Sequence, residues 1–209
     1  MTYSEQVAQA LIDLRAFGYT PDQPITFKSG ILSPVYIDNR ILPFHPLQWR
    51  TVIMAFAQLI EHEQLAYDAL AGIATAGIPH SSALAFHLQQ PSLFIRKEAK
   101  GHGTQKRVEG GDVQGKHVLL VEDLVTMGGS SLDGVAVLRE EGATVTDCLA
   151  IVTYGFEETA QRFADANVRL HVLLTFDELA RYAVQARYLP EGAVETIEAW
   201  RQNPHQWGR

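Results

Sequence analysis

The segment "KHVLLVEDLVTMGGSS" (residues 116–131) decides the fold, because it joins a buried strand to a helix through a glycine turn. Its apolar run is followed directly by Glu122 and Asp123, and then by the turn T-M-G-G-S at 126–130. The first turn of a helix offers free N–H groups and a partial positive charge, and glycines let a phosphate approach the backbone. The segment therefore predicts a phosphate site at the end of a strand.

The two acids beside this turn need a different ligand group, since carboxylates repel phosphate. They suit a part of the ligand that is rich in hydroxyl donors, such as a ribose diol, and could also hold a hydrated magnesium ion. The alternative is a helix cap preceded by a solvated acidic pair. Glu122 and Asp123 follow the apolar run with no turn between, so at least one of them should be partly desolvated. This favours a sugar phosphate that lies across the strand end.

Length and charge narrow the class of protein. A chain of 209 residues suits one core with at most an appendage. Its net charge of −7 is the wrong balance for a general nucleic-acid binder. We find no apolar run of membrane length and no signal-peptide pattern at the N-terminus, so we expect a cytoplasmic protein without membrane partners. Cys148, the single cysteine, is predicted to be a small core residue.

The remainder of the chain alternates apolar strands with helices. This pattern predicts an α/β fold with a central parallel sheet of about five strands, flanked by helices on both faces. The first helix is predicted from about Ser4 to Phe17, with Ser4 as its cap. Ligands of such folds bind beyond the carboxyl ends of the strands, where the loops after Gly72, Ile95 and Val121 lie.

With these elements in place, "VEDLVTMGGSS" resembles the signature of the type I phosphoribosyltransferases, which bind phosphoribosyl pyrophosphate (PRPP). The resemblance implies the fold of that family, as one domain over residues 1–209. A small hood would be formed from about 1–45 plus the C-terminal helices, over a core of about 46–175. It implies that the acids hold the ribose hydroxyls and the turn holds the 5′-phosphate. The PRPP-binding residues would be Glu122, Asp123, Leu124, Val125, Thr126, Met127, Gly128, Gly129 and Ser130. Mg²⁺ would be carried mainly by PRPP, with no metal site of the protein's own.

Three further segments are similar to the orotate phosphoribosyltransferases: "FKSGILSPVYIDNR" (27–40), "GIATAGIPH" (72–80) and "RKEAKGHG" (96–103). The implied reaction converts orotate and PRPP to orotidine 5′-monophosphate and pyrophosphate, a step of pyrimidine synthesis. Lys28 and Thr126 would bind orotate. The cations assigned to PRPP are Lys28, Arg96, Lys97, Lys100 and His102. Lys100 and His102 would act on the leaving group as catalytic residues, from a lid loop that reaches across a homodimer. Cations aimed at a developing negative charge are a main source of catalysis in such sites.

Three positions depart from the family or leave a role open. Ala76 stands where many members have a Lys, so the 72–80 loop would work through its backbone N–H groups. Tyr154 stands where an Arg would read orotate. Tyr36 is predicted to be a packing residue, with lining of the orotate pocket as the alternative.

Other functions remain open on the sequence. A basic loop such as 96–107 is more commonly a solvated surface than a catalytic one. An enzyme acting on a purine or another base would keep the same phosphate signature. A regulator that senses PRPP and binds nucleic acid would keep it too, although such proteins tend to add a DNA-binding domain or a basic face. No histidine pair has zinc-ligand spacing.

Overall fold

The computed structural model describes residues 1–27, 30–98 and 106–208. The elements, in chain order, are α1 (Tyr3–Asp13), β1 (Phe17–Tyr19), β2 (Ile25–Thr26), β3 (Leu32–Ser33), β4 (Val35–Ile37), a 3₁₀ helix (Asn39–Phe44), α2 (Pro46–His62), β5 (Ala69–Ile73), α3 (Gly77–Leu88), β6 (Ser92–Ile95), β7 (Val108–Glu109), β8 (Val118–Val125), α4 (Gly129–Glu140), β9 (Asp147–Thr153), α5 (Glu157–Asp165), β10 (Arg169–Thr175), α6 (Phe176–Gln185) and α7 (Ala193–Gln202). Within these ranges no helix has both the length and the apolar character needed to cross a membrane.

The central sheet confirms the α/β prediction. Its strand order is β10-β9-β8-β5-β6-β7, and the first five of these strands run parallel. β7 is antiparallel to β6, so the sheet has one strand more than the five expected. The acidic pair lies within β8, near its carboxyl end, and α4 begins four residues after that strand. The sheet edge where ligands of this fold bind therefore carries the signature segment.

The strands of the sheet centre are buried on both faces. In β8, Leu119 and Val121 pack into one core cluster, whereas Val118 and Leu120 pack into a second cluster on the opposite face. β9 alternates in the same way, and its Cys148 is buried as predicted. This explains why the strands appear in the sequence as continuous apolar runs rather than as alternating ones.

The first helix differs from its prediction at both ends. Thr2, not Ser4, is the N-cap, because its side chain accepts from the N–H of Glu5 in a capping box. The Ser4 hydroxyl instead donates to the Leu173 carbonyl over 2.8 Å. The helix ends at Asp13, and Phe17 begins β1, which pairs antiparallel with β4. Pairing with a distant strand overrode the local helical pattern.

The two ends of the chain meet beside the sheet. β2 and β3 form a short hairpin, and Trp200 of α7 donates its indole N–H to the Leu32 carbonyl of this hairpin over 2.8 Å. Trp200 is fully buried. The C-terminal helix therefore supports the N-terminal hairpin, which is the arrangement that a hood requires, while the hood and core boundaries stay a prediction.

Candidate active site

A cavity of about 640 Å³ opens at the carboxyl end of β8. One wall runs from Leu124, near the end of β8, through the turn to Ser131 in the first turn of α4. The opposite wall comes from the N-terminal segment between Ile25 and Arg40, and Tyr154 at the end of β9 completes the lining. The cavity therefore joins the predicted phosphate turn to a region that lies about a hundred residues away in sequence.

The acidic pair is more deeply buried than a solvated cap would be. Glu122 is 5% exposed, and its carboxylate accepts from the Ser130 hydroxyl and from the Asp123 N–H, both over 3.2 Å. Burial, and then the neighbouring Asp123 charge, hold the pKa of Glu122 well above its usual range. Burial also raises the pKa of Asp123, against hydrogen bonds and the Arg40 charge that lower it. A buried carboxylate beside a partly buried one favours a ligand that brings hydroxyl donors or positive charge.

The turn after the acids is held from behind by α5. The Thr159 hydroxyl donates to the Thr126 carbonyl, and the Arg162 guanidinium donates to the Met127 carbonyl, both over 2.7 Å. These two carbonyls are therefore engaged by α5, and the N–H groups at the start of α4 have no acceptor within the helix. Such a turn is prepared for an anion.

Gly128 is the position where this turn requires glycine. Its φ is +71°, and an added Cβ would lie 2.6 Å from the Phe163 ring. Phe163 is itself buried in the core beneath the turn. Any side chain at residue 128 would be strained and would displace the aromatic floor.

Ser131 adds a donor that the sequence prediction did not include. Its side chain lines the cavity, is 1% exposed, and its hydroxyl has no partner in the described ranges. A buried hydroxyl without a partner is costly, and an anion in the turn would satisfy it. The doubled Ser in the motif was the available signal.

The N-terminal wall brings polar residues to the acids. Asn39 is buried, and its amide donates to the Asp123 carbonyl over 2.8 Å. Asp38 and Arg40 line the cavity, with Arg40 Nε 2.6 Å from Asp38 Oδ1. The Arg40 guanidinium lowers the pKa of Asp38. Asn39 lies 84 positions from Asp123, with Asp38 and Arg40 on either side of it, and no spacing rule would have linked these residues to the acids.

A second cavity of about 160 Å³ lies beside Ser130, at the ends of β5 and β6. Arg96, Lys97 and Arg107 line it. Arg107 Nε donates to the Arg96 carbonyl over 2.9 Å, and its Nη1 donates to Asp133 of α4 over 3.1 Å. Positive charge is thereby placed next to the phosphate turn and held against the same helix.

The third side of the main cavity is aromatic. Tyr154 and Phe27 line it together, with ring centroids 5.2 Å apart. Tyr36 also lines the cavity and is 40% exposed, and its ring packs over Gly18. It is therefore a cavity residue that also packs, and a contact with orotate stays a prediction. A flat, partly apolar ligand such as a nucleobase fits these rings.

The structure therefore brings together many of the predicted site residues. Those described around the two cavities are Arg96, Lys97, Leu124, Val125, Thr126, Met127, Gly128, Gly129 and Ser130, with Glu122 and Asp123 directly behind the turn. Lys28, Lys100 and His102 lie outside the described residues. The residues that the sequence prediction missed are Asp38, Asn39, Arg40, Arg107, Ser131, Thr159 and Arg162.

Known proteins provide an independent comparison. The family model for the phosphoribosyl transferase domain matches residues 45–177. Orotate phosphoribosyltransferase from Coxiella burnetii is 41% identical over 207 residues, covering 99% of this chain and 99% of that one. The enzyme of the same name from Lactococcus lactis is 39% identical over 207 residues, again with 99% of each chain covered.

A solved structure shows the same fold. Orotate phosphoribosyltransferase from Aeropyrum pernix superimposes with a TM-score of 0.74 at 30% identity, covering 88% of this chain and 99% of that one. The chain belongs to the phosphoribosyltransferase family and, within it, to the orotate phosphoribosyltransferases.

Proposed function

We propose that this chain transfers the 5-phosphoribosyl group from PRPP to orotate, giving orotidine 5′-monophosphate and pyrophosphate. The observation that carries the proposal is the single cavity in which a prepared phosphate turn faces an aromatic end. Family membership supports the reaction, and this geometry suits both ends of the product. The reaction would serve pyrimidine synthesis in the cytoplasm.

The turn would hold the 5′-phosphate through the first N–H groups of α4, including that of Ser130, with the hydroxyls of Thr126 and Ser131 as further donors. Asp123, the more exposed of the two acids, would accept from the ribose hydroxyls. Glu122 already accepts from Ser130 and would hold that residue in place. In this proposal Lys28 and Thr126 contact orotate.

Displacing pyrophosphate from C1 builds negative charge on the leaving group. Arg96 and Lys97 line the second cavity, beside Ser130, where the leaving group would lie. Lys28, Lys100 and His102 would complete the positive charge around it. Lys100 and His102 are proposed as the catalytic residues, since preorganised cations stabilise charge that develops in the transition state.

Mg²⁺ fits this donor set as a companion of the substrate. Within the described ranges, no three His, Cys, Asp or Glu side chains converge on a metal position. Magnesium is commonly bound by one or two carboxylates plus substrate phosphates, which Asp123 and a pyrophosphate would supply. When bound, the ion neutralises charge on the leaving pyrophosphate.

A homodimer is part of the proposal, because the lid residues would act on the neighbouring subunit's site. The groove between α2 and α3, lined by Trp49, Ile53 and Ala83, is the surface that we assign to it. Phe44 and Phe86 are within two residues of Pro46 and His87, which also line this groove, and they are 85% and 87% exposed. We take these exposed side chains and the groove together as the apolar surface for a second copy of the chain. Phe86→Asp should give a monomer by light scattering, and an unchanged dimer would reject this surface.

The test of the reaction follows the ultraviolet absorbance of orotate, with PRPP and magnesium present. We expect the wild type to consume orotate but not adenine, guanine or uracil. Lys100→Ala and Asp123→Ala should each be nearly inactive, and activity should return when the two are mixed and allowed to exchange subunits. Recovery on mixing supports action in trans. Absence of orotate consumption despite PRPP binding would reject the proposed reaction.

A further inference from the structure

Tyr154 is held at the aromatic end of the cavity by rings on several sides. Its ring centroid lies 5.2 Å from Phe27, 5.2 Å from Phe176, 5.4 Å from Trp200 and 6.0 Å from Phe156. The residue is 1% exposed and lines the cavity. So many ring contacts leave the side chain little freedom, and its hydroxyl is presented in a defined place.

The Tyr154 hydroxyl makes no hydrogen bond to any described residue, which sets it apart from two other tyrosines. Tyr188 donates to the Phe17 carbonyl over 2.9 Å, and Tyr182 donates to Gln9 over 3.1 Å. Burial raises the pKa of the Tyr154 phenol, so the group is a neutral donor at physiological pH. A hydroxyl without a protein partner at the wall of a cavity is available to donate to a ligand.

The neighbouring backbone donors are already used. The Tyr154 N–H donates to the Val125 carbonyl over 3.3 Å, and the Gly155 N–H donates to the Thr153 hydroxyl over 3.2 Å. The opposite wall of the cavity carries the apolar side chains of Ile25 and Ile37 together with the polar groups of Tyr36, Asp38 and Arg40. The Tyr154 hydroxyl is therefore the donor that the end of β9 offers to the cavity. An anionic ligand group bound there would need such a donor.

We propose that the Tyr154 hydroxyl donates a hydrogen bond to the carboxylate of orotate and selects that base over bases without a carboxylate. This inference rests on the proposed function and adds a specificity-determining residue to it. The rigid ring fixes the donor's position, and the low-polarity rings around it strengthen a hydrogen bond to a charged acceptor.

The test compares two nucleotides that differ only in this carboxylate, orotidine 5′-monophosphate and uridine 5′-monophosphate. Their dissociation constants would be measured by calorimetry for the wild type, Tyr154→Phe and Tyr188→Phe. We expect the wild type to prefer the orotidine nucleotide, and Tyr154→Phe to lose about tenfold to hundredfold of that preference, as for a hydrogen bond to a charged group. Tyr188→Phe loses a hydroxyl outside the cavity and should keep the preference.

Binding of uridine 5′-monophosphate reports whether the phosphate turn and the fold are intact in each variant. Tyr154→Phe keeps the ring contacts and leaves no described partner unsatisfied, and Tyr154→Met is the second hydroxyl-free variant should the first fail to fold. A full preference retained in a folded hydroxyl-free variant would overturn the role of Tyr154 alone. Equal binding of both nucleotides by the wild type would overturn this inference as well, whereas the proposed function is rejected separately, by absence of orotate consumption in the absorbance assay.

Discussion

The two ends of the main cavity are built in different ways. The phosphate end is one continuous segment, Thr126 to Ser131, which α5 fixes from behind. The aromatic end combines Phe27, Tyr36 and Tyr154 from separate parts of the chain, and α7 supports Phe27 and Tyr154 through Trp200. Binding a phosphate needs backbone N–H groups in one local conformation, whereas enclosing a flat base needs side chains from several directions.

This difference predicts different failures. A change at the phosphate end should disturb the one local conformation of the turn, and should therefore strongly weaken the binding and use of PRPP. The effect of a change at the aromatic end should be divided among several contacts. It should lower the free energy of unfolding and weaken the binding of orotate together.

The largest effect is expected for Gly128→Ala. The added Cβ meets Phe163 and the φ of +71° is unfavourable, so the turn must shift. We expect kcat/KM for PRPP to fall by about a hundredfold or more, the scale that a misplacement of about 1 Å produces. Steady-state kinetics would measure this fall. Gly111→Ala is the matched control, since its Cβ has open space. Equal activity of both variants would contradict a conformational requirement at this turn.

The second effect concerns support from behind the turn. Arg162→Ala removes the donor to the Met127 carbonyl without touching the cavity lining. We expect KM for PRPP to rise about tenfold, equivalent to about 1.4 kcal/mol, with KM for orotate little changed. Gln161→Ala, one residue earlier on α5, removes only an exposed bond to Asp165 and serves as control. Equal changes in both KM values would argue against a role confined to the phosphate end.

A smaller effect is expected at the aromatic end. Trp200→Phe leaves the Leu32 carbonyl without its indole donor and thins the ring cluster around Tyr154. We expect the free energy of unfolding to fall by about 1–3 kcal/mol, or roughly 2–4 °C in melting temperature for each kcal/mol. KM for orotate should rise modestly in the same variant. Trp207→Phe is the comparison for loss of an indole at a partly buried position. A melting curve unchanged by Trp200→Phe would contradict the claim that α7 supports the aromatic end of the cavity through Trp200.

The smallest effect is a pH dependence from the acidic pair. Burial raises the pKa of Glu122 in the folded, ligand-free protein. Above the ordinary pKa range of a glutamate, the folded protein therefore still holds a proton that the unfolded chain has already released. The resulting stability is present at low pH and is lost as pH rises through the raised value. Glu122→Gln cannot ionise, so its melting temperature relative to that of the wild type should rise as the pH increases above the ordinary pKa range of a glutamate.

The control for this pH series is Glu195→Gln, which changes an exposed carboxylate on α7. Its melting temperature should run parallel to that of the wild type across the range. If the Glu122→Gln curve also ran parallel to that of the wild type, the pKa of Glu122 would not be raised in the folded protein.

Much of the fold was predictable from the sequence for a simple reason. Strands that are covered on both faces must be apolar along their whole length, so β5, β8 and β9 appear as short apolar runs between helical segments. The end of the first helix was not predictable in this way. Phe17 continues the local apolar pattern, but its pairing with Ile37 draws it into a strand.

The sequence by itself determined the phosphate end of the site, because the acids, the glycines and the hydroxyls there are consecutive residues whose local conformation creates the anion site. Only the tertiary structure decided the remainder. It placed Asn39 against Asp123, fastened the turn to Thr159 and Arg162, and enclosed Tyr154 with an unpartnered hydroxyl. These contacts join residues far apart in sequence, so their geometry depends on how the sheet, the N-terminal hairpin and the last helices pack, and no local pattern encodes it.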